Sequence, residues 1–460
     1  MHLLSKLTEP KHPIERSRQR FSNTELVKLI IPVLVEQLLV MLVGIADTLM
    51  VSYAGEAAVS GVSLVNQLNN VFIFIFGSVA SGGAVVASQY VGRRDSESGV
   101  TAASQLLMIT TLIAIAMTAV SILLREQLLN TLFVKVEQDV KEASLTYLVI
   151  TAASFPALGI YNCSCAIFRS MNGTRTIMNV SFIMNIINVG GNAIGIFALH
   201  AGVAGVAYPS LISRIAAALI MLVLSFNKNN ALYLQFRKIF SWNGKMLGRI
   251  LKIAIPGGIE NGLFQVSKVA LSGIVALFGT VQIAANGVAQ SFWSLAALIP
   301  LSLGYVFVTV IGQCMGAGDP GAADYYSRKL LRITYTASAA WSILMIVVTP
   351  IALLFYNLSA EAKQLVFLLA LIHNIFNVAF SPIAFSLSDG MRAAGDVKYT
   401  MLSAIFATVV CRVFFSVLLG VWLDMGVIGI CIAMVCDWLI KAILIFFRWR
   451  SKKWLNFHVI

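Results

Sequence analysis

The stretch PVLVEQLLVMLVGIADTLMVSYAG, Pro32–Gly55, decides the fold because the chain repeats its pattern in its second half. The second copy, Pro256–Gly279, reads PGGIENGLFQVSKVALSGIVALFG. The register that aligns Pro32 with Pro256 extends without a gap over Lys28–Asp95. Its informative matches are the proline, the glutamate four residues after it, and a Gln-x-x-Gly-x-x-Asp ending. Because such polar matches are uncommon in apolar sequence, the pattern indicates a duplicated unit.

The two copies differ in charge at two positions. Asp47 of the first copy corresponds to Leu271, and Gly44 corresponds to Lys268. An acid is therefore confined to the first copy and a base to the second. We infer that the two copies have acquired different roles.

The composition is that of a membrane protein. Of the 460 residues, 58% are hydrophobic and 12% are charged, and the mean hydropathy is +0.86. Soluble domains carry about 25% charged residues. Apolar runs of twenty or more residues recur along the chain, and each can cross a hydrocarbon core about 30 Å thick. Backbone groups in lipid must be hydrogen-bonded within their segment, and the alternation of barrel strands is absent, so the predicted fold class is all-α integral membrane.

We count twelve transmembrane spans, and an even number in each half predicts two pseudo-symmetric six-helix bundles with the same orientation. The spans lie near residues 27–53, 60–91, 101–124, 143–168, 177–199, 203–226, 249–279, 286–315, 328–357, 364–388, 399–423 and 426–447. The predicted regions are a cytoplasmic N-terminal tail (1–26), an N-terminal six-helix lobe (27–226), a cytoplasmic linker (227–248), a C-terminal six-helix lobe (249–447) and a cytoplasmic C-terminal tail (448–460).

The net charge of +13 reflects membrane topology rather than binding of nucleic acid. Of 33 Lys and Arg residues, 25 lie on one side of the predicted spans. Those on the other side are Arg125, Lys135, Lys141 and Lys363. The positive-inside rule therefore places both termini in the cytoplasm. We expect a multi-pass protein of the cell membrane, in a bacterium the inner membrane, without a signal peptide and acting as a monomer with no obligate protein partner.

The sequence predicts no enzyme, cofactor or metal centre. All six cysteines fall in predicted spans, and the Cys163-x-Cys165 pair has no second pair or nearby histidine to complete a zinc site. The glycine-rich stretch at Ser81-Gly82-Gly83 lies within a span and lacks the Lys-Ser/Thr of a nucleotide-binding loop. Energy for any transport should therefore come from an ion gradient.

Several motifs in order and spacing resemble the multidrug and toxic compound extrusion (MATE) transporters. They are the paired Pro-x-x-x-Glu helices, VGIADTLMVSYAG (43–55), SQYVGRRD (88–95), GQCMGAGD (312–319) and MRAAGD (391–396). The resemblance covers essentially the whole chain. It implies two six-helix lobes around a central cavity, and exchange of organic, often cationic, compounds for H⁺ or Na⁺ by alternating access.

Asp47 is the leading candidate for ion coupling. A charge within a span costs about 2.5–3.5 kcal/mol on insertion, so it requires an explanation. Its distance along the helix from Lys28 places Asp47 toward the outer end of its span. A carboxylate there either binds Na⁺ or takes a proton, and the alternative is a solvated or capping group near the interface. The resemblance implies the first function, because Asp47 matches the first-helix aspartate that binds the coupling ion.

Three amides share one face of the fifth span, namely Asn185, Asn188 and Asn192. They indicate either a polar pocket or interhelical hydrogen bonds. In the family, this helix often supplies Asn and Asp four residues apart, whereas this chain has Asn188 and Asn192. Ser210 stands where a threonine is common. The expected site is therefore Asp47, Asn188, Asn192 and Ser210, with one carboxylate, which suits H⁺ at least as well as Na⁺.

The C-terminal lobe carries a different set of charges. Phe264 and Ser381 stand where some family members have a glutamate and an aspartate, so that version of the site is absent. The candidates for cavity or gating roles are Glu36, Glu260, Lys268, Arg412 and Asp437. The alternative for the buried charges is internal ion pairing, which includes Lys441 one turn after Asp437. For Lys441 by itself, snorkelling to the interface is a further alternative. Glu36 and Glu260 suggest a shared structural role, such as pairing with loop Arg or Lys.

The function predicted from the sequence is a secondary antiporter that exports amphipathic organic compounds across the bilayer in exchange for H⁺ or Na⁺. The main alternative is a lipid-linked saccharide flippase of related architecture, which the basic span residues would support. An intramembrane enzyme would need a catalytic pair at matching depth, which we do not find in the sequence. A passive channel fits the unequal charge of the two copies poorly.

Overall fold

The computed structural model describes residues 9–10, 14–15, 18–132, 137–356 and 358–460, and the regular structure in these residues is helical. The helices of the first half are α1 (Asn23–Ser52), α2 (Glu56–Arg93), α3 (Ser96–Leu123), α4 (Arg125–Leu132), α5 (Gln138–Ala153), α6 (Phe155–Ser170), α7 (Thr174–Ala198), α8 (Ala204–Ser225) and α9 (Phe236–Ile239). Those of the second half are α10 (Gly244–Phe278), α11 (Thr280–Gly316), α12 (Pro320–Leu353), α13 (Ala360–Ala394), α14 (Val397–Trp422) and α15 (Gly426–Arg450).

The helices confirm the all-α membrane fold. Within the described ranges, eleven helices are long and apolar enough to cross a membrane, and α5 and α6 together form a twelfth span bent by 46°. The bend falls where Ser154 ends α5 and Pro156 follows in the first turn of α6. Proline lacks an amide hydrogen and clashes with the preceding turn, so it ends the straight course of the span. Each predicted span overlaps one of these helices.

The chain forms two compact units. The N-terminal unit is Ile31–Gly258, and the C-terminal unit is Ile259–Ile460 with the described residues up to Ile30. The predicted lobes, linker and tails (1–26, 27–226, 227–248, 249–447 and 448–460) stay a prediction, with boundaries that differ from these. Much of the predicted N-terminal tail, and Lys135 in the predicted outer loop, lie outside the described residues.

The aspartates that end the repeated motif are helix caps in both units. The Asp95 side chain accepts a hydrogen bond from the Ser98 amide at 3.0 Å, and Asp319 accepts one from the Ala322 amide at 2.9 Å. These bonds satisfy amides that have no partner within the first turn of a helix. The Ser98 bond lowers the pKa of Asp95, and a hydrogen bond from Arg18 lowers the pKa of Asp319. The repeated Asp thus fixes the start of α3 and α12.

Glycines bring the last two spans of each unit into close contact. A Cβ on Gly205 would lie 2.7 Å from the Gly195 carbonyl oxygen, within a π-helical end of α7 (Ile194–Ala198). A Cβ on Gly429 would lie 2.6 Å from the Leu419 carbonyl carbon, within a π-helical end of α14 (Ser416–Trp422). Small residues let helix backbones approach in membrane bundles. The two glycines, which occupy corresponding positions of the repeat, therefore have the same packing role.

Residues outside the spans pack on the C-terminal unit. The Phe21 amide donates to the Tyr326 hydroxyl at 2.8 Å, and Arg18 pairs with Asp319. At the other end, Arg448 pairs with Asp396 at 2.6 Å, and Trp454 is fully buried. The segments that flank the spans are therefore part of the folded unit where the structure describes them.

Gly205→Ala should destabilise the protein by about 1–3 kcal/mol, the usual cost of overpacking, because the new methyl group meets backbone atoms that cannot rotate away. We expect its midpoint of thermal unfolding in detergent, followed by tryptophan fluorescence, to fall by a few degrees. Gly190→Ala is the matched control, since a Cβ at Gly190 would have no atom within 4 Å. Equal midpoints for the two variants would contradict the packing role of Gly205.

Candidate functional site

A continuous hydrogen-bonded chain joins the four predicted coupling residues in the N-terminal unit. The Asn192 side-chain amide donates to Asp47 Oδ1 at 2.6 Å and also lies 3.3 Å from Asn188 Oδ1. The Asn188 amide in turn donates to Ser210 Oγ at 3.0 Å. The chain thus connects α1, α7 and α8. The helical spacing of Asn188 and Asn192, one turn apart, places both amides on the face of α7 toward Asp47 and Ser210.

Asp47 and Ser210 also line a cavity of about 140 Å³ within the N-terminal unit. Its lining is polar over much of its surface and includes Ser63, Asn66, Tyr147 and Arg214. The sequence did not assign Asn66 or Tyr147 to the site, because isolated polar residues in a span carry no directional signal. Arg214 is recognisable in the sequence as a span charge, but nothing there places it beside Asp47. The cavity is large enough for water and small ions but not for a drug-sized molecule.

Asp47 accepts a hydrogen bond from the Asn192 amide and forms no ion pair with Lys, Arg or His within 4 Å among the described residues. Arg214 lines the same cavity, but its Nη1 donates to Ser154 Oγ at 2.7 Å. A carboxylate in a permanent ion pair would resist protonation or exchange of a cation. Asp47 is therefore placed where it can change its charge state.

Asn185, the third amide of the predicted face, is not part of the hydrogen-bonded chain. Its side chain is buried, and its Nδ2 has no hydrogen-bond partner among the described residues. In the same way, Oδ1 of Asn192 has no partner within the described part of the chain. Buried polar atoms of this kind are costly unless a ligand or water meets them. The α7 face thus keeps hydrogen-bonding capacity that the protein itself does not use.

The paired glutamates form equivalent ion pairs in the two units. Arg169 Nη2 lies 2.6 Å from Glu36 Oε1, and Arg392 Nη2 lies 2.5 Å from Glu260 Oε2. The partners are also equivalent, since Arg169 and Arg392 lie in the last turns of α6 and α13. The symmetric pairing was one of the alternatives expected from the sequence. These glutamates line neither the Asp47 cavity nor the C-terminal cavity described below.

Glu36→Gln should destabilise the protein by about 3–5 kcal/mol, because it removes the carboxylate paired with a largely buried guanidinium. The double variant Glu36→Gln/Arg169→Gln should recover part of this loss, measured as thermal unfolding in detergent. Glu126→Gln, at an exposed glutamate, is the matched control and should leave the midpoint unchanged. Additive effects of the two single substitutions would rule out the pair as a stabilising unit.

The span charges of the C-terminal unit are mostly paired internally. Arg412 Nε lies 3.4 Å from Asp437 Oδ2, both side chains being buried, and Thr408 donates to Asp437 at 3.2 Å. Lys441 lies 3.3 Å from Glu260 Oε1 and is buried, so it does not snorkel to the interface. Asp437 therefore pairs with Arg412 on α14 and not with Lys441 one turn along its own helix.

Lys268 differs from the other predicted candidates of this unit, which form ion pairs. In the described residues it forms no ion pair within 4 Å, and its ammonium lies 5.9 Å from the centre of the Phe264 ring. The Arg412 guanidinium lies 5.6 Å from the same ring. Both cations line a cavity of about 80 Å³ together with Trp293. The structure therefore brings Lys268 and Arg412 together, and it places Glu260 in the separate pair with Arg392.

This cavity and the Asp47 cavity are built from corresponding positions of the repeat. In the register that aligns Pro32 with Pro256, the shared positions are Gly44 and Lys268, Asp47 and Leu271, Thr48 and Ser272, Val51 and Val275, Val62 and Asn286, Asn66 and Gln290, Val206 and Ile430, and Ser210 and Met434. Asn188 of the hydrogen-bonded chain corresponds to Arg412 in the same register. The duplicated unit thus carries one cavity in two versions, the first lined by an acid and a base (Asp47 and Arg214) and the second by two bases (Lys268 and Arg412).

Comparison with known proteins identifies the family. The MatE family model matches residues 32–194 and 256–418, two segments that begin at the paired prolines of the repeat. The chain belongs to the MatE family. The two matched segments reproduce the internal repeat found in the sequence. They leave out the termini, the region between the segments that contains α8, and the last span, α15.

Full-length relatives and solved structures agree with this assignment. The uncharacterized transporter YisQ of Bacillus subtilis is 28% identical over 98% of each chain. The probable multidrug resistance protein NorM of Thermotoga maritima is 22% identical over 97% of this chain and 95% of its own length. A MOP superfamily transporter from Pyrococcus furiosus has a similar structure, with a TM-score of 0.88 at 19% identity over 96% of this chain and 98% of that one. This MatE protein is therefore a multi-pass membrane transporter by family.

Proposed function

We propose that this MatE protein is a secondary antiporter that exports amphipathic organic compounds, many of them cationic, in exchange for H⁺ or Na⁺ by alternating access. The observation that supports this proposal most strongly is the hydrogen-bonded chain from Asp47 through Asn192 and Asn188 to Ser210. Within the described residues, Asp47 has no ion-pair partner. Relatives named as multidrug resistance proteins favour export of small molecules over translocation of lipid-linked saccharides. The protein would act as a monomer in the cell membrane, with both termini in the cytoplasm.

In the ionised state, the Asn192 amide donates one hydrogen to Asp47 and the other to Asn188, and the Asn188 amide donates onward to the Ser210 hydroxyl. The negative charge of Asp47 is stabilised by a charge-assisted hydrogen bond and by Arg214 across the same cavity. In this state the Asp47 carboxylate is the group in the cavity that can bind a proton or a cation, and the nearby Arg214 reduces its attraction for a cation.

Protonation of Asp47 would reverse the chain. The new hydroxyl donates, so Asn192 turns its free Oδ1 toward Asp47 and no longer offers a hydrogen to Asn188. Asn188 then turns as well, donates to Asn192 Oδ1 and accepts from the Ser210 hydroxyl. Each of the three links is kept with its direction reversed, because side-chain amides and hydroxyls both donate and accept. A single proton thus changes the hydrogen bonds that join α1, α7 and α8.

This reversal gives a physical basis for antiport. A cationic substrate favours the ionised form, whereas a proton removes the charge that attracts it and alters the contacts of three helices. Two ligands with opposite preferences for two states drive exchange rather than joint movement. Among the two coupling ions, the geometry favours H⁺, because in the ionised chain the Asn192 amide presents hydrogens to Asp47, and Na⁺ would require oxygens. Na⁺ binding would need that amide turned and further oxygen ligands supplied by water.

Asp47→Asn should reduce gradient-coupled efflux of a cationic dye by at least about tenfold, since the variant has no group that titrates in the chain. Efflux is measured in energised cells, with surface expression checked on the same samples. Asp424→Asn makes the same substitution at an exposed residue and should leave efflux unchanged. Full coupled efflux by Asp47→Asn at normal expression would refute the role of Asp47.

Imposing the two gradients separately in proteoliposomes distinguishes the coupling ions. We expect a pH gradient to drive dye transport, and a sodium gradient at fixed pH to have little effect. Asn192→Asp restores the Asn and Asp pair that many family members have, and it should increase the dependence on sodium because a second carboxylate strengthens a cation site. Transport driven by sodium and unaffected by the pH gradient in the wild-type protein would overturn the preference for H⁺.

A further inference from the structure

The basic cavity of the C-terminal unit, lined by Lys268 and Arg412, is the copy of the Asp47 cavity in which the acid is absent. Leu271 replaces the acid, Lys268 replaces Gly44, and Arg412 replaces Asn188. Among the described residues, no carboxylate lines this cavity. A proton or a metal cation therefore meets no acid in it but two cationic side chains, and the cavity does not repeat the coupling function proposed for its counterpart.

The charges around this cavity do not balance. Asp437 neutralises Arg412 from outside the lining, whereas Lys268 has no counter-ion within 4 Å in the part of the chain that the structure describes. The two cations approach the same Phe264 ring, at 5.9 and 5.6 Å from its centre. The ring attracts each cation, but it does not cancel the repulsion between them. One negative charge between Lys268 and Arg412 would offset this repulsion.

Hydrogen-bond donors at the cavity are also available to an anion. The buried Nε1–H of Trp293 has no acceptor among the described residues, and neither does Nε–H of Arg412 by hydrogen-bond geometry. The Asn286 and Gln290 amides line the same space. Nitrogen donors with cationic side chains are the usual setting for a carboxylate. The lining also has an apolar part, which includes Leu271 and Met434.

We propose that this cavity binds the carboxylate of an amphipathic organic anion, with the carboxylate between Lys268 and Arg412 and the apolar body against Phe264 and Trp293. A volume of about 80 Å³ holds a carboxylate head and not a whole drug-sized molecule, for which pockets measure about 300–1,000 Å³. The body of the ligand must extend out of the cavity, where Lys268 is exposed. The bound anion is a transport substrate only if the proposed export function holds, whereas the binding site does not depend on it.

Two ligand classes are thus assigned to two cavities of one chain. The N-terminal cavity offers the Asp47 carboxylate to a proton or a cation, whereas Lys268 and Arg412 repel cations from the C-terminal cavity. Organic anions have the opposite preference. Duplication followed by a change of charge at corresponding positions would thus extend the range of ligands that the transporter binds. Each cavity keeps a site for a small head group, and the two sites differ in the charge of the head group that they bind.

Equilibrium binding to the purified full-length protein tests the site directly. The protein is placed in nanodiscs of zwitterionic phosphatidylcholine, and binding of tritiated 1-naphthoate is compared with that of 1-naphthamide, which has the same shape without the charge. We expect naphthoate to bind at least about tenfold more tightly than the amide. Equal affinities for the two probes would overturn the proposal, because the charge would then have no role.

Substitutions at Lys268 assign the binding to this cavity. Lys268→Met should weaken naphthoate binding by about tenfold or more and leave naphthamide binding unchanged, whereas Lys268→Arg should retain naphthoate binding. Lys398→Met removes an exposed lysine outside the cavity and should have no effect. If Lys268→Met and Lys398→Met bind naphthoate alike, the anion site is not where we place it.

Arg412 is tested together with its partner, because removal of Arg412 by itself leaves Asp437 buried without a cation. The double variant Arg412→Met/Asp437→Asn should keep the thermal midpoint near that of the wild type and lose at least about tenfold in naphthoate affinity. Wild-type affinity in a folded double variant would exclude Arg412 from the site.

Two further experiments complete the test. One distinguishes a free carboxylate from a lipid phosphate as the bound anion, and the other distinguishes the anion site from the proposed antiport function. Phosphatidylglycerol in the nanodiscs should not displace naphthoate, and displacement would mean that the site takes a lipid phosphate instead of a free carboxylate. Asp47→Asn should bind naphthoate as the wild type does, which supports a site independent of the coupling acid. Loss of naphthoate binding in Asp47→Asn would overturn that independence. Loss of coupled efflux with naphthoate binding intact leaves the anion site standing.

Discussion

A charge inside a helical membrane bundle must be compensated, and the arrangement of this transporter follows from how each charge meets that requirement. Glu36 and Glu260 are paired with arginines in the last turns of equivalent helices, and Asp437 is paired with Arg412. These pairs hold helices together. Asp47 accepts a hydrogen bond from the Asn192 amide, Lys268 lies near an aromatic ring, and both line cavities. Function is proposed where ion pairing is absent within the described chain.

The internal repeat explains why the two cavities have the same construction. Helix starts capped by Asp95 and Asp319, and glycines at positions 205 and 429 against π-helical turns, place equivalent helices in equivalent positions within each unit. A few side chains then decide the chemistry. Leucine in place of the acid and lysine in place of Gly44 give a space lined by bases where the first copy has one lined by both an acid and a base. Duplication fixes the geometry, and substitution sets the sign of the charge.

Much of the fold, and the membership of the candidate site in the N-terminal unit, could be predicted from the sequence. Hydropathy predicted the spans, since twenty apolar residues cross a bilayer only as a helix. The register of Pro32 and Glu36 with Pro256 and Glu260 revealed the duplication. The coupling residues were singled out together from helical spacing and family resemblance, and the structure joins them in one hydrogen-bonded chain. Local periodicity carries such information because it depends only on neighbouring turns of one helix.

Contacts between helices could not be predicted from the sequence. Asp437 lies one turn from Lys441, which suggested an ion pair, yet it pairs with Arg412 on another helix, and Lys441 reaches Glu260. Asn66, Tyr147 and Arg214 join Asp47 at one cavity from four helices in all. Which side chains meet depends on the rotation and approach of packed helices, set by glycines and π-helical turns distant in sequence. The sequence by itself therefore determined the helices, their duplication and the acid, Asp47, that has no counterpart in the second copy, whereas only the tertiary structure decided which charges are paired, because pairing depends on how helices pack.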